Sequence, residues 1–137
     1  MRGGVEEPLY IPARMGHLAQ IRFTRDYARS ALHEAAHWLA SNARRAILDY
    51  GYAYIPPPRN LLQRQFFEKR ELKTQAIEAL FCETIGVVFR ASGDDFTTRF
   101  EDLADVEKRV YSMSLRLSMN GLPSRAERFL QSLAMLY

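Results

Sequence analysis

The sequence predicts an α+β domain that is predominantly helical, with about five helices beside a small two- or three-stranded sheet. Three observations carry this. After residue 25, apolar and small residues recur at three- and four-residue spacing along most of the chain. Before residue 25 the pattern is different: two short β-type runs, "PLYIP" and "LAQIRF", flank the turn-like "ARMGH". Glycine and proline then stand where helices should stop, at Gly51, at the Asn120-Gly121 pair and at Pro123.

Each element follows in order. Asp26 can cap a first helix running to Ser41, with Tyr27, Ala31, Leu32, Ala35 and Leu39 on its apolar face. A short second helix, "ARRAILDY", ends at Gly51. "GYAYI" reads as a short strand running into Pro56, Pro57 and Pro58, which forbid helix. A third helix is expected over about Gln65 to Val88, turning Phe67, Leu72, Ala76, Ala79 and Leu80 to the core. "RASGDDFTTR" is a loop, and a fourth helix covers about Phe100 to Met119. Pro123 opens a fifth that runs to the end.

Composition narrows the function classes. The 137 residues suit one domain, expected over 1–137, with a core large enough to fold alone. A net charge of +3, from 19 basic and 16 acidic residues with scattered arginines, is too slight to imply nucleic-acid binding. No apolar run approaches the roughly 18 residues of a membrane span. The first 16 residues hold two glutamates and no signal-type apolar core, and Cys82 is the lone cysteine. A reducing cytoplasm is the expected compartment.

The motif that carries chemistry is "SALHEAAHWLAS", residues 30–41, which sets His33, Glu34 and His37 in H-E-x-x-H spacing. Residues four apart share a helix face, so both imidazoles can reach one ion. Glu34 is rotated from His33 by about 100°, which stands it beside the ion as the candidate catalytic base. Ala35 and Ala36 leave room for another element to approach. His17 is read as an ordinary loop histidine, Trp38 as core and Cys82 as inert packing.

Two histidines leave a site one ligand short. Zinc sites of the gluzincin type and non-haem iron triads both add a carboxylate. The third helix offers Glu68, Glu71 and Glu78, with Gln75 on the same stripe but a poor ligand as a neutral amide. Glu71, in the middle of the stripe, is the expected third ligand and Glu68 the second choice. Against this stands a charged, solvated face of an amphipathic helix. Asp49, Tyr50, Tyr52, Tyr54 and Arg59 cluster in sequence beyond the motif. They suit either a substrate wall with a cation-holding Asp49 or a packed tyrosine group with a salt bridge. H-E-x-x-H with a downstream glutamate is equally the signature of a zinc peptidase, with Glu34 as general base.

The blocks "EEPLYIPA", "SALHEAAHW", "RRAILDYGYAYIPPPR", "FFEKRELKTQAIEALFC" and "NGLPSRAERFL" occur in an order and spacing that resembles the elongation factor P hydroxylase family, EpmC. The likeness runs along nearly the whole chain, which looks like a shortened member. It departs from the family pattern at Pro57 and Pro58, in place of an acidic residue and a glycine, and at Arg70 and Thr74, in place of a valine and a proline.

The resemblance implies an oxygen-using hydroxylase of the lysyl-lysine modification on translation elongation factor P. It implies a ferrous ion on His33, His37 and Glu71, where zinc would also fit, with O2 as cosubstrate. Glu34 would stand beside the metal. Asp49, with Glu68 or Glu78, would receive the cationic amines, and Tyr52 and Arg59 would complete the substrate wall. The H-x-D or H-x-E motif of the barrel oxygenases does not occur and the chain reads as helical, so no oxoglutarate is expected. Elongation factor P is the one partner implied, without nucleic acid or membrane. The likeness tilts the H-E-x-x-H helix, in a zincin-like arrangement, from peptide cleavage towards hydroxylation.

Overall fold

The computed structural model of the chain describes residues 1–4, 9–11, 13, 15–22, 28–40, 60–92 and 103–137. Within them lie strands β1 (Leu9–Ile11) and β2 (Gln20–Arg22) and helices α1 (Ala28–Ala40), α2 (Leu61–Ile85), α3 (Leu103–Asn120) and α4 (Ser124–Leu136). The expected class, mainly helical with a small sheet, is what the chain adopts. The expected "ARRAILDY" helix and "GYAYI" strand lie outside the described residues, so four helices are described where five were expected.

The two strands pair antiparallel, Leu9 opposite Arg22 and Ile11 opposite Gln20. Arg2 adds a parallel bridge to Arg22, its N–H donating to the Ile21 carbonyl at 2.9 Å. So short a ribbon is not stable alone. It is held by packing on α1, where buried Tyr10 meets Trp38 with ring centroids 5.8 Å apart.

Helix α2 is the centre of the molecule and packs against α1, α3 and α4. It begins four residues earlier than its apolar spacing suggests, because Asn60 and Gln63 form a reciprocal capping box. It ends at Ile85 because Gly86 takes the left-handed conformation, φ 72°, while the Val87 N–H donates to the Cys82 carbonyl. Helix α3 stops in the same way at Gly121, φ 95°. Pro123 supplies the N-cap residue of α4, one position before the first turn where it was expected.

The main core joins Leu32, Ala35, Ala36 and Leu39 of α1 to Ile77, Phe81 and Cys82 of α2 and Ala126 of α4. A second cluster sets Ala76 of α2 against Val106 and Val110 of α3. Fully buried Ala36 and nearly buried Ala35 sit where α2 meets α1, as small residues at a close helix contact should. Arg125 of α4 stacks on Trp38, its guanidinium carbon 3.7 Å from the ring centroid, and closes that edge of the core.

Phe81 is fully buried and meets Phe129 edge-on at 4.9 Å. Phe81→Ala should therefore cost about 3–5 kcal/mol of stability, the usual range for emptying such a site. Urea unfolding followed by circular dichroism measures this, and a loss under 1 kcal/mol would contradict the packing described.

Candidate metal centre

The face of α2 that carries Glu71, Gln75 and Glu78 is buried. Their exposures are 1, 0 and 4%, and Thr74 is at 2%. A solvated charged stripe is thereby replaced by a polar seam between helices, and buried carboxylates are costly unless something answers their charge. What answers it lies across the seam on α1. His33 and His37 stand one turn apart on one face, with rings edge-to-face and centroids 4.7 Å apart.

Both histidines aim Nε2 at the same point. Their Nε2 atoms are 3.1 Å apart. Glu71 Oε2 lies 3.2 Å from His37 Nε2, and Glu71 Oε1 lies 3.7 Å from His33 Nε2. His33, His37 and Glu71 together offer three ligand atoms within 4.8 Å of one another. Two donors bound at about 2.1 Å to one ion, at angles of roughly 90–120°, stand about 3.0–3.6 Å apart. The 3.1 and 3.2 Å spacings fall within that range, and the 3.7 Å from Glu71 Oε1 to His33 Nε2 lies just beyond it. Two imidazoles with one carboxylate suit a first-row divalent ion. Glu68 belongs to no such group among the described residues and is half-buried one turn earlier on α2.

The far nitrogens are held by α2 as well. His33 Nδ1 lies 2.7 Å from Glu78 Oε2. A carboxylate only accepts, so in the neutral ring the proton sits on Nδ1 and the Nε2 lone pair faces the shared point. Thr74 Oγ1 lies 3.4 Å from His37 Nδ1. Gln75 donates from Nε2 to Glu71 Oε1 at 3.2 Å. Glu78, expected among the substrate-binding residues, is therefore engaged with His33. Glu34 is 7% exposed on α1, and its charge also acts on His33.

Electrostatics follow from this packing. Burial alone would push the His33 pKa down, but the Glu78 hydrogen bond and the charges of Glu71, Glu78 and Glu34 outweigh it. They hold His33 at about 9 instead of 6.5. Burial alone would raise Glu71, yet the hydrogen bond and charge of His37, the charge of His33 and the Gln75 amide pull it down to about 2. Without a metal, a proton on His33 supplies the positive charge that the glutamates require. A divalent cation would serve the same need.

Thr74 and Gln75 are the residues that sequence reasoning passed over. Gln75 was visible on the Glu71 stripe and was set aside only as a ligand. Thr74 shares a turn with Glu71 and Gln75, but nothing in its spacing announces a contact with α1. Asp49, Tyr52 and Arg59 lie outside the described residues. His17 is exposed, Trp38 packs on the main core, and fully buried Cys82 has its thiol pushed up to about 11 by burial, consistent with inert packing.

No helix among the described residues is long and apolar enough to cross a membrane. The family model described as "Elongation factor P hydroxylase" matches residues 1–137. The chain is also 37% identical over 140 residues to a protein of Haemophilus influenzae (strain ATCC 51907 / DSM 11121 / KW20 / Rd) named "Elongation factor P lysine hydroxylase", covering 100% of this chain and 78% of that one. With its motifs in order and its full length matched, the chain belongs to the elongation factor P hydroxylase family.

Proposed function

We propose that this chain is a non-haem iron, oxygen-using hydroxylase that acts on the lysyl-lysine of translation elongation factor P. The observation that carries this reading is the convergence of two imidazole nitrogens and a buried carboxylate in a member of a hydroxylase family. His33, His37 and Glu71 would hold the ion, and when bound it supplies the one-electron chemistry that activates oxygen. The name of the Haemophilus relative supports lysine on elongation factor P as the substrate.

The chain's own residues divide the remaining work. Glu78 keeps His33 in the tautomer whose Nε2 faces the site. The imidazole side chains are about a quarter exposed, 24 and 22%, so a substrate side chain can approach from their open edge. Glu34, beside His33 on α1, is the group assigned to hold or return a proton. A lysyl amine is cationic and calls for carboxylates near its path, a role assigned to Asp49 and half-buried Glu68, while Tyr52 and Arg59 would line the rest of the substrate's approach. Cytoplasmic residence and independence from oxoglutarate belong to the same reading.

The test loads the protein anaerobically with Fe(II), adds oxygen and lysylated elongation factor P, and weighs the product. One added oxygen atom on the modified lysine is expected, and His37→Ala should abolish both metal and turnover. Tightly held zinc with peptide cleavage would instead identify a peptidase. A complex with the modified factor but no mass gain would identify a binder without turnover.

A further inference from the structure

Gln75 makes contacts that neither the core nor a ligand role explains. Its side chain is fully buried, yet every bond it makes is polar. Its Oε1 accepts from the Ser92 backbone N–H at 3.0 Å, and its Nε2 donates to the Ser92 carbonyl at 2.9 Å. This pair fixes the amide's orientation, because a backbone N–H can only donate and a carbonyl can only accept. The remaining Nε2 proton is thereby aimed at Glu71 Oε1, 3.2 Å away. Glu71 Oε1 in turn faces His33, while its other oxygen faces His37.

We infer that Gln75 is a positioning residue: it sets the rotation of the Glu71 carboxylate and couples that carboxylate to the backbone at Ser92, so that metal loading and order at Ser92 reinforce each other. This rests on the reading of His33, His37 and Glu71 as metal ligands. The requirement is for an amide in particular. A carboxylate at 75 could still accept from Ser92 but would set two anions 3.2 Å apart at the ligand. An apolar residue would remove the amide's bonds to both Glu71 and Ser92. Coupling is reciprocal, so an ion that fixes Glu71 must also restrain Ser92 through the shared amide.

The experiment uses the whole chain with Co(II) as the probe ion. Affinity is read by competition with a chelator, ligand geometry by the visible Co(II) bands, and the backbone by hydrogen exchange at the Ser92 amide. In the wild type, Co(II) should slow exchange at Ser92. Gln75→Leu should lose about 10–100-fold in affinity, the usual effect of removing a group that orients a ligand. Its Co(II) bands should shift, and exchange at Ser92 should no longer respond to the ion.

Gln75→Glu keeps the volume and the Ser92 acceptor. It carries the test if the leucine variant loses its helical circular dichroism, and it should also shift the bands. Variants that fold, bind within twofold of wild type, keep its bands and still slow Ser92 exchange would overturn the positioning role alone. A wild-type chain that takes up no Co(II), or whose bands survive His37→Ala, would overturn the metal-site reading and this inference with it.

Discussion

Glu71→Gln should lower metal affinity by more than about 100-fold, beyond the 10–100-fold typical of a residue that only orients a ligand. The amide keeps the volume of a side chain that is 1% exposed, so the helix seam should survive. It removes the charge that faces both histidines and puts an N–H donor or a weak acceptor where a carboxylate oxygen stood. Glu71 is also among the groups that raise His33, so the His33 pKa should fall in the metal-free variant, which an NMR titration of its ring protons reads directly. Glu68→Gln is the matching control and should bind within twofold of wild type. Wild-type affinity in Glu71→Gln, or a large loss in Glu68→Gln, would reassign the third ligand.

Metal uptake should release a proton, and its strength should depend steeply on pH. His33 titrates at about 9 in the metal-free protein, so at pH 7 its proton must leave before Nε2 can bind an ion. Apparent affinity should rise about tenfold per pH unit between pH 7 and 9 and level off above that. Calorimetry in buffers of different ionisation enthalpy counts the proton, and no buffer dependence at pH 7 would contradict the assignment.

Stability of the metal-free protein should run in the opposite sense. The raised His33 pKa contributes stability that is complete below pH 6.5 and lost as pH rises through about 9, on the order of 3 kcal/mol. The lowered Glu71 pKa contributes stability that is complete above pH 4.5 and lost as pH falls through about 2. Both operate between pH 4.5 and 6.5. Urea unfolding should therefore find the metal-free chain more stable at pH 5.5 than at pH 9.5, and excess metal should reduce that difference.

Much of this was legible in the residues. The H-E-x-x-H spacing required both imidazoles on one helix face, and a helix turn is rigid enough to honour that. The same rule put Glu71, Gln75 and Glu78 on one stripe of α2. Helix ends were less accurate, because the Asn60–Gln63 box extends α2 beyond its apolar repeat. The periodicity of α2 also named only one buried face, whereas α1, α3 and α4 pack around it and bury its polar face too.

What the sequence by itself determined is therefore local: a mainly helical chain, two histidines facing one way, and a short list of glutamates able to join them. Which glutamate meets them was decided only by tertiary packing, since the distance between α1 and α2 is set by Ala35, Ala36 and the shared core rather than by spacing along either helix. Packing also turned Glu78 to the far nitrogen of His33 and gave Gln75 its hold on Ser92. A seam between two helices exists only once both are in place, and its buried charges become costly, and so informative, only when water has left.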